Sequence, residues 1–231
     1  MMVRKGIQKI VHPWDLKPEA AIELQTRLAP RVIRKSRIRS ADVAAVAGVD
    51  VAYANDMAYA AVVVFNLTDL KVLEKAVASK TARFPYVPGM LSFREGPVIM
   101  EALGKLKAPP DLLMVDGHGI AHPRRFGIAS HIGLLTDIPA IGCAKTILLG
   151  DYEELQGTRG SISYLTEGQV TIGAVVRTRT AVKPVFVSIG HLIDLNDSIR
   201  IILKSCRGYR LPEPIRAADH LSRKQIASIK S

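Results

Sequence analysis

Residues 43–67 read VAAVAGVDVAYANDMAYAAVVVFNL. Two apolar, β-branched runs, 43–54 and 57–67, flank Asn55-Asp56, a pair suited to a tight turn, and the stretch is expected to form an antiparallel β-hairpin. A third run, VLEKAVASKTA at 72–82, continues the meander. Beyond it the pattern changes. LLMV at 112–115 is a short, fully apolar strand. A helix is expected near Ile128 to Leu135, then strands at Ala140 to Cys143, Gly160 to Tyr164, Thr171 to Val176 and Val185 to Ile189, and a helix at Leu195 to Cys206. A meander followed by strands and helices in alternation predicts a mixed α/β sheet, antiparallel then parallel, with helices packed on it. Upstream, Pro18 to Arg27 reads as a helix with a permitted early proline and with Ala21, Leu24 and Leu28 at helical spacing. FPYVPGML at 84–91 is irregular, Gly96 to Lys107 reads as a helix closing before Pro109-Pro110, and a last helix starts just after Pro214.

The chain has 231 residues, 48% hydrophobic and 23% charged, which suits one globular domain over 1–231 rather than a disordered chain. Its net charge of +11 favours a polyanion such as nucleic acid or an anionic membrane face. No stretch approaches the ~20 apolar residues of a membrane span. Nor does the N-terminus carry the apolar core of a signal peptide, so a cytoplasmic protein that does not enter membranes is expected. Cys143 and Cys206 fit no metal spacing and are expected as reduced, buried thiols. The basic run PRVIRKSRIRS at 30–40 is expected to be a solvated connector.

Three acids interrupt or end apolar runs. Asp50 sits inside AVAGVDVAYA, where a carboxylate is costly to bury unless paired or holding a metal; the alternative is the solvent face of an edge strand. Asp116 ends LLMVD, and Gly117 after it lets the chain turn sharply. Glu95 lies at the foot of the irregular PYVPG segment and the start of the next helix. Three such carboxylates suit a hard divalent cation. His118 and His122 have the spacing of a helical zinc pair, but Gly117, Gly119 and Pro123 argue against a helix there. His122, followed by PRR, suits a loop group near phosphate, and His131 suits a satisfied core position. Lys145 follows a strand in IGCAK, at the sheet edge of Asp116, where its ammonium could offset phosphoryl charge.

VAGVDVAY, FPYVPGMLSFREGP, VDGHGIAHPRRFGIASHIGLL, IGCAK, VSIGH and YRLPEPIRAAD, in this order, closely resemble endonuclease V. The resemblance runs from about Pro18 to the last helix. It implies a ribonuclease H-like fold with helices on both faces of the sheet, and a monomer. It also implies a metal-dependent DNA repair enzyme that nicks DNA containing deaminated bases, chiefly deoxyinosine, at the second phosphodiester bond 3′ of the lesion, leaving a 3′-hydroxyl and a 5′-phosphate. By this likeness Asp50, Glu95, Asp116 and Asp219 hold Mg²⁺ or Mn²⁺, and His122 and Lys145 lie near the scissile phosphate. Pro85, Tyr86, Val87 and Pro88 resemble a wedge driven into the duplex. Gly89, Leu91, Gly117, Gly119, Ile128 and Leu148 resemble the pocket for the flipped base. Next to Asp219, His220 is the competing choice for the metal. Three other readings remain: an inosine-specific ribonuclease, a structure-selective nuclease indifferent to inosine, and a non-catalytic nucleic-acid-binding module.

Overall fold

The computed structural model describes residues 11–230. Its elements are α1 (Pro18–Leu28), β1 (Ala45–Ala54), β2 (Met57–Asn66), β3 (Val72–Thr81), α2 (Leu91–Gly104), β4 (Leu112–Val115), α3 (Ile128–Thr136), β5 (Ala140–Ala144), β6 (Ile162–Glu167), β7 (Val170–Val176), β8 (Val185–His191), α4 (Leu195–Lys204) and α5 (Glu213–Lys230). The strands form one eight-stranded sheet in the order β3-β2-β1-β4-β5-β8-β7-β6. The β1–β2 hairpin forms as expected, closed by Asn55 with φ 52°. Among the described residues only β1–β4 and β4–β5 pair in parallel, because β8 returns antiparallel to β5 and carries β7 and β6 with it. Parallel pairing is therefore confined to the centre of the ribonuclease H-like sheet.

Alternation along β1 sorts the two faces. Ala47 and Val49 point to the side of α2 and α3, where they pack with Val62, Leu113, Val115, Val98, Ile99 and Ile132. On the opposite side α5 lies across β2, with Ala61, Val63 and Phe65 against Ala218 and Leu221. Each large apolar side chain buried this way contributes about 1.5–3 kcal/mol, so both helical layers are held chiefly by apolar burial. Gly48 permits the close seating of α5: a Cβ there would stand 2.0 Å from the carbonyl oxygen of Pro214.

Two expectations shift. Helix α2 begins at Leu91, five residues before the expected Gly96, so Pro97 stands in its second turn and Glu95 in its body. A proline near a helix start is the common case, which makes Pro97 a misleading marker. Here the first turn is set by Met90, buried and bonded back to Val87. Helix α1 buries Gln25 along with Ala21, Leu24 and Leu28, so an amide sits on its otherwise apolar face. The basic connector is pinned near the far end of β8, where Leu192 donates to Ile33 O and Arg37 pairs with Asp137, while Arg39 pairs locally with Asp42. Both thiols are free and buried, and among the described residues no helix is long and apolar enough to cross a membrane.

Candidate active site

Strands β1 and β4 run side by side from Val46 to Val49 against Leu112 to Val115, and there β4 stops while β1 continues to Ala54. Asp50 is thus the first β1 residue beyond its parallel neighbour, which explains a carboxylate inside an apolar strand. The amide of Asp116 donates to Val49 O at 3.0 Å, placing the second acid beside the first. By alternation Asp50 faces α5, and Ser222 of α5 donates to its Oδ2 at 2.9 Å. Asp219 is one turn earlier on the same helix face. Glu95 comes from the α2 side, where Tyr53, three residues after Asp50 and so on the opposite strand face, donates its hydroxyl to Oε1 at 3.0 Å. Lys145, just past β5, donates to Asp116 Oδ2 at 2.5 Å.

These residues line one cleft of about 620 Å³: Asp50, Glu95, Asp116, Asp219, Lys145 and Arg223 supply its charges, and Tyr53 and Leu91 its walls. Burial and the charges of Asp116 and Asp219 push the Asp50 carboxyl up to about 6, against the pull of Ser222 and Lys145. Burial first, then Asp50 and Asp116, lifts Glu95 to about 8, although Tyr53 and Arg94 favour its charged form. On Lys145 burial is outweighed by the bond to Asp116 and the charges of Asp50 and Asp219, so its pKa rises and it stays cationic. Arg223 is bonded to Asp219.

Carboxylates gathered this closely repel one another, and the repulsion falls when a cation enters. Among the described residues no three His, Cys, Asp or Glu side chains already stand at ligating distance from a common point. The donor set itself, all oxygen and short of positive charge, fits a hard divalent ion.

The other expected site residues divide between the cleft and its surroundings. His122 is buried: its Nε2 donates to Gly89 O at 2.8 Å, and its Nδ1 accepts from the Arg124 amide at 3.2 Å, so both ring nitrogens are engaged away from the acids. In the 85–88 loop Tyr86 is 75% exposed, while Val87 packs against the core. Leu91 lines the cleft. Gly117, with φ 151°, has its Cα face against Ile128, whose Cγ2 would be 2.6 Å from an added Cβ. Gly119 is packed under β8, its amide on Ser188 Oγ and its carbonyl on the Gly127 amide. Leu148 is exposed beyond β5. His118 donates through Nε2 to Thr146 O, leaving Nδ1 buried without a partner. His131 is fully buried, bonded to His12 and Ser92 and ringed by Trp14, Phe93 and Phe126, as a core histidine should be. Asp219 lines the cleft, whereas His220 is exposed.

Tyr53, Ser222 and Gln25 were not singled out by sequence. Ser222 could have been found from its i,i+3 spacing to Asp219 once the helix was assigned. Tyr53 had only its odd offset from Asp50 as a signal, and Gln25 only its place among the apolar positions of α1.

The family model described as Endonuclease V matches residues 26–220. The chain is 48% identical over 218 residues to an endonuclease V of Methanothrix thermoacetophila, covering 94% of this chain and 96% of that one. Its fold superposes with a TM-score of 0.89 on the crystal structure of the endonuclease V of Streptomyces avermitilis, at 41% identity, covering 96% of this chain and 99% of that one. It also superposes, with a TM-score of 0.80 and 27% identity over 90% of this chain and 96% of that one, on a Ciona intestinalis endonuclease V in complex with a 24mer DNA containing an inosine followed by a ribo-adenosine.

Proposed function

Since this chain belongs to the endonuclease V family, we propose that its carboxylate-lined cleft nicks DNA beside a deaminated base, chiefly deoxyinosine. The cut falls at the second phosphodiester bond on the 3′ side and leaves a 3′-hydroxyl and a 5′-phosphate. The observation that carries this reading is the gathering of Asp50, Glu95, Asp116 and Asp219 with Lys145 in one cleft of a protein whose net charge is +11. The chain is an endonuclease, and the excess positive charge draws a phosphodiester backbone to it.

In this reading the four carboxylates would hold Mg²⁺ or Mn²⁺, which when bound supplies a more acidic water and neutralises phosphoryl charge. Asp50, which would be one of the residues holding the ion, is oriented by Ser222 through Oδ2. Glu95 is oriented by Tyr53 through Oε1. Lys145, kept cationic, stabilises the charge that builds on the phosphoryl oxygens and the departing 3′ oxygen. Tyr86, held out on a loop stiffened by Pro85 and Pro88, takes the place of the extruded base in the stack. The base is received beside Leu91, Gly117 and Ile128, and extrusion costs least where pairing is already weakened, as at hypoxanthine. His122 serves by fixing Gly89 at the foot of that loop. The protein acts as a monomer.

Single-turnover nicking of a duplex with one inosine, followed in a Mg²⁺ and Mn²⁺ titration and compared with the same inosine in RNA, tests the proposal. Cleavage at the second 3′ bond with a polymerase-extendable 3′ end is expected. Equal cutting of undamaged, flap and inosine duplexes would sink the lesion-specific reading, and binding without any cutting would replace it with a non-catalytic one.

A further inference from the structure

The carbonyl oxygen of Gly89, at the foot of the exposed Tyr86 loop, accepts from three side chains. Gln25 Nε2 reaches it at 3.1 Å, His122 Nε2 at 2.8 Å and Arg124 Nη2 at 2.8 Å. A carbonyl has two lone pairs, so this acceptor is saturated. Gln25 ties the group together. Its second amide hydrogen goes to Phe126 O at 3.0 Å, and its own Oε1 accepts from Arg124 Nε at 2.6 Å. The side chain is 1% exposed and sits on the apolar face of α1, where an amide is costly unless its bonding capacity is met. Here it is met, by two segments distant in sequence: the loop that carries Tyr86 and the loop that follows Asp116.

The other foot of the Tyr86 loop is held by Arg94, which donates to Phe84 O at 2.5 Å and lies over the Tyr53 ring. Within the loop, the Met90 amide closes on Val87 O. Tyr86 itself is exposed, so the position of its ring is set by these feet and by Val87, which packs against the core. Gly89 has φ +77°, a conformation costly for other residues, and an added Cβ would meet Arg124 at 3.0 Å.

We propose that Gln25 is a positioning residue for lesion recognition in duplex DNA: its amide locks the Tyr86 loop to the 117–127 loop, so that ring and base pocket keep one separation. This rests on reading residues 85–88 as the wedge. A rigid separation matters where a ring must enter a stacked helix as the base leaves. It matters little on an unpaired strand, where nothing is displaced.

The test measures single-turnover kcat/KM on one inosine strand, paired and unpaired, for Gln25→Ala, Gln25→Glu, Tyr86→Ala and the double variant Gln25→Ala/Tyr86→Ala. Gln25→Glu keeps the volume and the Arg124 contact while removing both amide donors, so it remains readable should Gln25→Ala not fold. Misplacing a binding group by an ångström can cost 10²-fold, so each Gln25 variant is expected to lose about tenfold on the duplex and less than about twofold on the single strand. In the Tyr86→Ala background the duplex loss should largely vanish, as it does for residues acting through one another. Equal losses on both substrates, or full additivity with Tyr86→Ala, overturn the proposal. Normal duplex cutting by the Gln25 variants beside a crippled Tyr86→Ala overturns it alone, while normal duplex cutting by Tyr86→Ala overturns the wedge reading and the proposal with it.

Discussion

Two polar clusters, one including Leu91 and Glu95 of α2 and the other gathered at Gly89 just before that helix, are built on contrary terms. In the cleft, four carboxylates crowd with Lys145 and Arg223, and burial and mutual repulsion raise the pKa values of Asp50 and Glu95. In the clamp of Gln25, Gly89, His122 and Arg124, the amide, the carbonyl and both ring nitrogens have partners. The cleft is left short of positive charge, which suits a site that must accept a cation and a phosphate. The clamp is complete, which suits a part that must not move. Substitutions should therefore separate the two regions: changes in the cleft should affect activity and spare stability, and changes in the clamp should lower stability.

The largest effect should come from Asp50→Ala or Asp116→Ala. Inosine-duplex nicking should fall by about a thousandfold, the scale of losing a principal charge-stabilising group, while the thermal midpoint stays level or rises as repulsion is relieved. Wild-type-like cutting by either variant at saturating metal would break the contrast from the cleft side. Next, His122→Ala should cost about 2 kcal/mol, since it strands the Arg124 amide and leaves a cavity where a buried ring stood, while Gly89 O keeps Gln25 and Arg124. For a chain of this size that lowers the melting midpoint by about 4–8 °C, readable by calorimetry. An unchanged midpoint would mean that the buried bonds of His122 do not hold the clamp together.

A smaller change is expected for Ser222→Ala, which removes the hydroxyl bonded to Asp50 Oδ2. Loss of such an outer partner weakens metal affinity by about tenfold. The metal concentration for half-maximal nicking should rise while the rate at saturation is nearly kept. A lower saturated rate with an unmoved midpoint would show that Ser222 does not act through the ion.

The smallest effect is a slope with pH. Burial, aided by Arg124, His118 and Arg125, brings His122 down to about 4, and burial does the same to His191, against 6.5 in the unfolded chain. The unfolded state thus takes up protons first. The stability these groups contribute is full above pH 6.5 and is lost as pH falls towards 4. Asp50 and Glu95, whose folded pKa values are raised, act in the opposite direction over the same window, so the test is the difference: urea unfolding between pH 7 and 4 should show stability falling more steeply with acid in the wild type than in His122→Asn. A decline of equal steepness in the variant would remove His122 from the account.

Much of this was open to reading in the sequence because it depends on local rules. The β1–β2 hairpin follows from β-branched runs around Asn55-Asp56. Asp50, Asp116 and Lys145 stand out because each breaks or ends an apolar strand. The start of α2 was hidden because Pro97 imitates the proline of a first turn, while the actual start depends on how Met90 packs. His122 was assigned to the phosphate by its PRR neighbours, a local sign that says nothing of Gly89, 33 residues away, to which it is bonded. Ser222 and Asp50 are 172 residues apart, and Gln25 and Phe126 are 101 apart. Such pairings exist only once the chain has folded, so no window of sequence displays them.

Strand β1 outruns β4 at Val49, and that overhang has a consequence for how the gene can change length. One residue inserted between Ala45 and Val49 would rotate Asp50 from the α5 face to the α2 face, away from Asp116 and Ser222. The same insertion in the Asn55-Asp56 turn would leave every acid in place. Length variation should thus be tolerated at the hairpin tip and refused in the few residues before Asp50, a boundary that a single-codon insertion scan would draw.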